Sequence, residues 1–221
     1  MSTTVIVFAK APVPGLAKTR LAPALGLDGA AALAERMLRH ALAQAGAAAL
    51  GPVELCAAPD ASHAALRQAA AACGASLAEQ GPGDLGQRMH RAFARHLPQA
   101  GRVLLIGTDA PALDAAMLRQ AAAALHSQAL VFVPALDGGY ALVGQREADA
   151  RWFDGMRWSH DQVMAHTRAR LRAAGVAWAE LAPVADIDAP ADLAHLPPGW
   201  HPPGVAAGPA PHPHGAAGPA R

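Results

Sequence analysis

Three acidic features in this sequence stand where an apolar run has just ended. Asp109 follows V-L-L-I at 103–106, in G-T-D-A-P; Asp137 follows L-V-F-V at 130–133, in P-A-L-D-G-G-Y; Asp186 and Asp188 follow the apolar stretch at 176–181. A further feature is cationic: Lys10, Lys18 and Arg20 bracket A-P-V-P-G at 11–15, directly after V-I-V-F at 5–8. Ligands of open α/β sheets bind at the carboxyl ends of the strands. Carboxylates from separate strand ends can converge there, and hard oxygen ligands beside a phosphate-holding loop suit Mg²⁺ or Mn²⁺ bridging a diphosphate. Backbone N–H groups and fixed positive charge in the loop favour the anion. Each feature also has a plainer use. A cation-flanked turn can be a basic patch of surface, and an Asp after a strand can cap the next helix. Asp109 fits capping poorly, because Asp114 already holds that position. The two glycines after Asp137 suit backbone approaching a ligand and a tight turn equally well.

Other chemistries lack their signatures. The loop is neither G-x-x-x-x-G-K-[ST] nor G-x-G-x-x-G, and there is no G-x-S-x-G or H-E-x-x-H. His40, His63, His90, His96 and His126 have no partner at a metal or triad spacing and read as ordinary helix-surface residues. Cys56 and Cys73 form no CxxC pair and read as reduced and buried. With 18 basic and 17 acidic residues the net charge is +1, which gives no field to attract nucleic acid or an anionic membrane, and 4% aromatic content offers little for stacking bases. No apolar run reaches the length of a membrane span, and the sequence enters a strand too directly for a signal peptide. The expected location is cytoplasmic.

The elements that must position these residues alternate regularly. Strands are predicted at 5–8, 53–56, 76–79, 103–106, 130–133, 140–143 and 176–181. Helices are predicted from Asp28 towards Leu50, over 60–73, from Asp84 to about Leu97, from Asp114 to about His126, over 160–173, and briefly from Ala191. The strand at 140–143 follows its predecessor too closely for a helical crossover, so the two cannot be parallel. The expected fold is a three-layer α/β/α sandwich around a mostly parallel, mixed sheet. Residues 1–196 make one domain. Residues 197–221, rich in Pro, Gly, Ala and His, have too little to bury and are expected to be disordered. His201, His212 and His214 in that tail could pick up metal only adventitiously.

The motif K-A-P-V-P-G-L-A-K-T-R-L resembles the N-terminal signature of small transferases with the GT-A, nucleotide-diphospho-sugar transferase fold. Further blocks sharpen the likeness: G-T-D-A-P-A-L looks like G-[ST]-D-x-P, P-A-L-D-G-G-Y-A-L-V-G like P-x-x-D-G-G-Y-x-L-[IV]-G, and D-I-D-A-P-A-D-L like D-[IV]-D-T-P-x-D-L. G-D-L-G-Q-R-M at 83–89 and M-R-W-S at 156–159 match as well. The blocks run in order from Val5 to about Leu193. They resemble the DUF2064 family, also described as rSAM/selenodomain-associated transferase 1, which is related to 2-phospholactate guanylyltransferase.

This resemblance implies roles. Lys10, Gly15, Lys18 and Arg20 would lie along the nucleotide and its phosphates, with Asp84 and Arg88 near the nucleotide. Asp109 would bind Mg²⁺ or Mn²⁺, with Asp188 or Asp186 as the second carboxylate. Asp137, Gly138, Gly139, Trp158 and Ser159 would face the donor's distal group or the acceptor, and Lys18, Asp109 and Asp137 would be the catalytic set. Ala189 stands where the family usually has Thr, and His160 where a small hydroxyl residue is common. The implied activity is glycosyl transfer from a nucleoside-diphosphate sugar to a small-molecule or lipid-linked acceptor. The alternatives are nucleotidyl transfer from an NTP, releasing pyrophosphate, and a catalytically silent nucleotide-binding protein. The oligomeric state is not written in the sequence.

Overall fold

A computed structural model describes residues 2–200. Seven strands form one sheet: β1 (Thr4–Lys10), β2 (Val53–Ala58), β3 (Ser76–Glu79), β4 (Val103–Ile106), β5 (Leu130–Pro134), β6 (Tyr140–Gln145) and β7 (Trp178–Glu180). Their order across the sheet is β3-β2-β1-β4-β6-β5-β7, and β6 alone runs against its neighbours β4 and β5. This is the mixed, mostly parallel sheet expected from the short link before Tyr140.

Alternation along the strands separates the two covering layers. Val5, Val7 and Leu55 join the cluster under α1 (Ala22–Ala47), α2 (Ala64–Ala72) and α4 (Ala115–Ala124). Ile6, Phe8 and Leu105 face the opposite layer, α3 (Leu85–Ala100) and α5 (Val163–Ala173), where Met89, Phe93, Met164 and Leu171 pack. Much of the first layer is alanine, so α1, α2 and α4 meet the sheet largely through small side chains. Local chemistry sets several helix starts. Asp84 accepts from the Gln87 N–H while Gln87 accepts from the Asp84 N–H, a reciprocal capping box. Asp114 accepts from the Met117 N–H, and the His63 ring caps α2 through the Ala65 N–H.

Some boundaries differ from the sequence reading, for identifiable reasons. α1 begins at Ala22, is broken at Gly26 (φ 71°, ψ 170°) and resumes, so Asp28 sits just inside the resumed helix rather than opening it; it ends at Ala47 rather than near Leu50. α2 starts at Ala64 rather than Asp60, because Asp60 is occupied in a turn that accepts from the backbone and hydroxyl of Ser62. α5 starts at Val163 rather than His160, because Ser159 takes a positive φ of 63° and the following residues dock against the β5–β6 turn. Trp200 packs on Arg36 and His40, so the described chain keeps contact beyond residue 196. The remainder of the expected tail, with His201, His212 and His214, lies outside the described residues. Cys56 and Cys73 are both free thiols. No helix among the described residues is long and apolar enough to cross a membrane.

The docking against the β5–β6 turn is tight. The Met164 N–H donates to the Gly138 carbonyl at 2.8 Å. A Cβ on Gly138, whose φ is +92°, would come within 1.9 Å of the Asp161 carbonyl oxygen. The glycine therefore serves a tight turn pressed onto the protein's own chain. Gly138→Ala is expected to cost about 2–4 kcal/mol in chemical denaturation, from left-handed strain plus displacement of backbone. Gly15→Ala, with φ +78° but nothing within 4 Å, is expected to cost only about 1 kcal/mol.

Candidate active site at the carboxyl ends of the strands

The loop after β1 turns on itself before reaching its cations. The Leu16 and Ala17 N–H groups both donate to the Val13 carbonyl, and Pro12 and Ala17 are buried. Gly15 and Leu16 are carried outward. Lys18 then adopts a left-handed conformation (φ 47°, ψ 42°), uncommon for a residue with a Cβ, and sends its side chain inward.

On the other side of the cleft the chain after β7 is stitched to β5 and β4. The Leu181 N–H donates to the Phe132 carbonyl, Val184 to Pro134, and Leu136 in return to Val184. The Ile187 N–H then donates to the Asp109 carbonyl at 2.8 Å. Asp188 and Ala189 both donate their N–H groups to one oxygen of Asp192, which fixes the turn that presents the Asp188 carboxylate.

These two halves meet at Lys18. Its ammonium lies 2.8 Å from Asp109 Oδ1 and 3.6 Å from Asp188 Oδ1, and donates to the Ile187 carbonyl at 2.6 Å. Arg20 donates to Asp188 Oδ2 at 2.7 Å from the solvent side. Asp186 belongs to the same field. Burial first, and then the negative charges of Asp109, Asp137 and Asp188, push its carboxyl up to about 7, with Lys18 acting in the opposite direction. Four carboxyl groups, Asp109, Asp137, Asp186 and Asp188, thus share this field with two cations, Lys18 and Arg20.

The remaining sequence candidates are distributed as follows. Asp137 accepts from the Gly139 N–H, closing its own turn, while its charge still reaches Asp186. Asp84 is committed to the α3 cap, and Arg88 donates to the Gly83 carbonyl, so both brace the β3–α3 connection. Lys10, at the end of β1, is exposed. Trp158 packs beside Tyr140 and Phe153, and a Cβ on Gly86 would touch it at 2.9 Å, so the start of α3 and Trp158 share a wall. The Trp158 indole N–H and His160 Nε2 are buried with no partner among the described residues. His160 Nδ1 accepts from the Gln162 N–H, which leaves the proton of the neutral ring on Nε2.

Sequence reasoning missed Ile187 as the link between Asp109 and Lys18, and missed Asp192. The acid three residues after Ala189 was the available signal for the latter. It also missed the buried Glu54, which pairs with Arg95 and His96 below the sheet's α3 face; a lone charge inside an apolar strand run was the signal there.

Among the described residues no three His, Cys, Asp or Glu side chains are gathered to hold an ion. Mg²⁺ commonly takes only one or two protein carboxylates and completes its shell with phosphate and water. Asp109 and Asp188, with the surplus negative charge around Asp186, fit that pattern.

The position of Asp186 sets the sign of a pH effect. A carboxyl raised from 3.8 to about 7 binds more protons folded than unfolded across that interval. With divalent ions chelated, this group lowers stability progressively as pH rises from about 4 to about 7, and the loss is complete above that. Asp149 and Glu180, held below their ordinary range by Arg151 and Arg168, act with the opposite sign only at lower pH. Asp186→Asn is therefore expected to stabilise the protein at pH 8 by on the order of a few kcal/mol, and hardly at all at pH 4. Thermal unfolding of the pair across pH measures the difference.

Comparison with known proteins agrees with this architecture. A family model, DUF2064, described as an uncharacterized protein conserved in bacteria, matches residues 41–160. That match takes in Asp109 and the 137–159 region but not the Lys18 loop or Asp188. No curated protein matches the sequence. A crystal structure of a candidate nucleotide-diphospho-sugar transferase from Desulfovibrio desulfuricans G20 is similar over 88% of this chain and 86% of that one, with 30% identity and a TM-score of 0.80. CMP:2-keto-3-deoxy-manno-octonic acid synthetase complexed with CTP shares the fold at 12% identity and a TM-score of 0.56, over 86% of this chain and 95% of that one. Glucosyl-3-phosphoglycerate synthase from Mycobacterium tuberculosis, in complex with Mn²⁺, UDP and its product, shares it at 13% identity and 0.53, over 86% and 74%. The sheet order, the matched region and the similarity at 30% identity lead to one assignment: the chain is a member of the DUF2064 family, with the fold of the nucleotide-diphospho-sugar transferases.

Proposed function

We propose that residues 1–196 form one transferase domain acting on a nucleotide-linked donor, with glycosyl transfer from a nucleoside-diphosphate sugar as the preferred reaction. The observation that carries this is the meeting of Lys18, Asp109 and Asp188 at the carboxyl ends of the strands, where an α/β sheet binds its ligand. The similarity at 30% identity to a candidate nucleotide-diphospho-sugar transferase supports it. Asp109 and Asp188 would hold Mg²⁺ or Mn²⁺, which when bound neutralises charge on the diphosphate leaving group. Lys18 and Arg20 would supply positive charge to the phosphates, with Lys10 and the Gly15 turn further along the nucleotide. Asp84 and Arg88 hold the β3–α3 loop against it. The buried N–H groups of Trp158 and His160, with Asp137, Ser159 and the glycine turn, line the acceptor side and orient a small-molecule or lipid-linked acceptor. Catalysis is then chiefly positioning and charge stabilisation, with no covalent intermediate on the chain.

Nucleotidyl transfer is the second reading. The same loop cations, Lys10, Lys18 and Arg20, would serve the triphosphate of an NTP, and a synthetase complexed with CTP shares the fold. Purified protein incubated with Mg²⁺ or Mn²⁺, a panel of nucleotide sugars and NTPs, and a cell extract as acceptor source decides between them. Release of nucleoside diphosphate supports glycosyl transfer; pyrophosphate supports nucleotidyl transfer; neither product, with no thermal shift on adding nucleotide and metal, overturns both. Asp109→Ala is expected to weaken metal-dependent nucleotide binding by at least about 100-fold in calorimetry, because half the carboxylate pair is lost. Unchanged binding would remove Asp109 from the site.

A further inference from the structure

Lys18 does more than stand near the two carboxylates; it fills the space between them. Its ammonium is in contact with Asp109 Oδ1, Asp188 Oδ1 and the Ile187 carbonyl, while its side chain is only 7% exposed against 44% and 41% for the two acids. Three oxygens around one buried positive centre are a cation site, and here the protein's own amine is the cation. Asp188 is claimed on both sides, Oδ1 by Lys18 and Oδ2 by Arg20. Asp109 Oδ1 also accepts from the Thr108 hydroxyl. An ion bridging Asp109 and Asp188 therefore meets the Lys18 charge in the same place, and like charges in a half-buried site repel strongly.

We propose that Lys18 and a divalent cation are alternative occupants of the Asp109–Asp188 oxygen pocket, so that Lys18 is an internal cation displaced when metal enters and redirected to the nucleotide's phosphates. The proposal rests on the metal-dependent reading of the site above, and extends it by linking metal and nucleotide binding through one side chain. The left-handed φ of 47° at Lys18 holds the side chain inward at a strained position. The carboxylates keep their relative placement without Lys18, since the Ile187 N–H to Asp109 carbonyl bond and the two N–H bonds to Asp192 are independent of it. Lys18 thereby lowers the affinity for metal alone, and nucleotide restores it by offering the ammonium a better partner.

The probe is Mn²⁺ alone, titrated into the full chain and followed by calorimetry or by the free-Mn²⁺ resonance. Lys18→Met, which removes the charge and keeps the length, is expected to bind Mn²⁺ at least about tenfold more tightly than wild type, and to lose most of the strengthening that UDP or CDP gives to wild type. Lys18→Arg keeps the charge and should stay near the wild-type affinity. Equal or weaker Mn²⁺ binding by Lys18→Met would overturn the competition while leaving the metal reading intact. Absence of Mn²⁺ binding in wild type and Lys18→Met alike would overturn both. A second measurement needs no variant. In wild type, Mg²⁺ without nucleotide should speed acylation of Lys18, read by mass spectrometry, by several-fold as the amine leaves its pocket. Unchanged or slower labelling counts against displacement.

Discussion

The cleft depends on one buried residue and the hydrogen bonds of its peptide units. Ile187 donates its N–H to the Asp109 carbonyl, accepts Lys18 at its own carbonyl, and inserts its side chain into a small core with Leu21, Met37 and Leu193. A fully buried isoleucine cannot shift sideways without opening a cavity. Three segments that are remote in sequence are therefore referred to a single fixed point. Burial secures the anchor, and the backbone bonds transmit its position to the charged groups on either side, of which Asp109 and Asp188 are by themselves too exposed to hold the geometry.

The sheet topology explains why those segments arrive together. β6 runs antiparallel between β4 and β5, so the end of β4 and the turn after β5 lie at the same edge, and the chain beyond β7 is drawn along β5 towards that edge. Acids placed at successive strand ends then share one electrostatic field. Their mutual repulsion and partial burial are offset by Lys18 and Arg20, but incompletely, and the raised Asp186 carboxyl registers the remainder. Residual negative potential with cationic flanks is the charge pattern that the proposed pairing of a metal ion with a phosphate chain would call on.

Much of this was legible in the sequence. The apolar run at 103–106 coincides with β4, and the short spacing before Tyr140 required the antiparallel strand that is found. Asp114 as helix cap, and hence Asp109 as an acid with another purpose, follows from residue type and spacing alone. The rest is tertiary. Nothing local announces that Gly138 must clear the Asp161 carbonyl, or that α5 begins late because its first residues are pressed onto that turn. Nor does any motif reveal that the Lys18 ammonium points back at the acids, since that depends on a left-handed backbone at a residue with no sequence preference for it. The capping of α3 by Asp84 was visible as a helix start, yet the same carboxylate was also a candidate for the nucleotide; the hydrogen bonds show what it does within the chain.

The small core around Ile187 draws Leu21 from the early part of the chain and Leu193 and Leu196 from the late part, and the Arg20–Asp188 pair spans 168 residues. A chain emerging during synthesis can lay down β1 to β6 and cover the sheet long before residue 187 exists. Throughout that time the Lys18 loop lacks the later half of its apolar support and its carbonyl partner. The cleft is therefore finished last, by the arriving segment that also delivers Asp186 and Asp188, and a nascent or prematurely ended chain can hold most of the sheet with the cleft still open on that side.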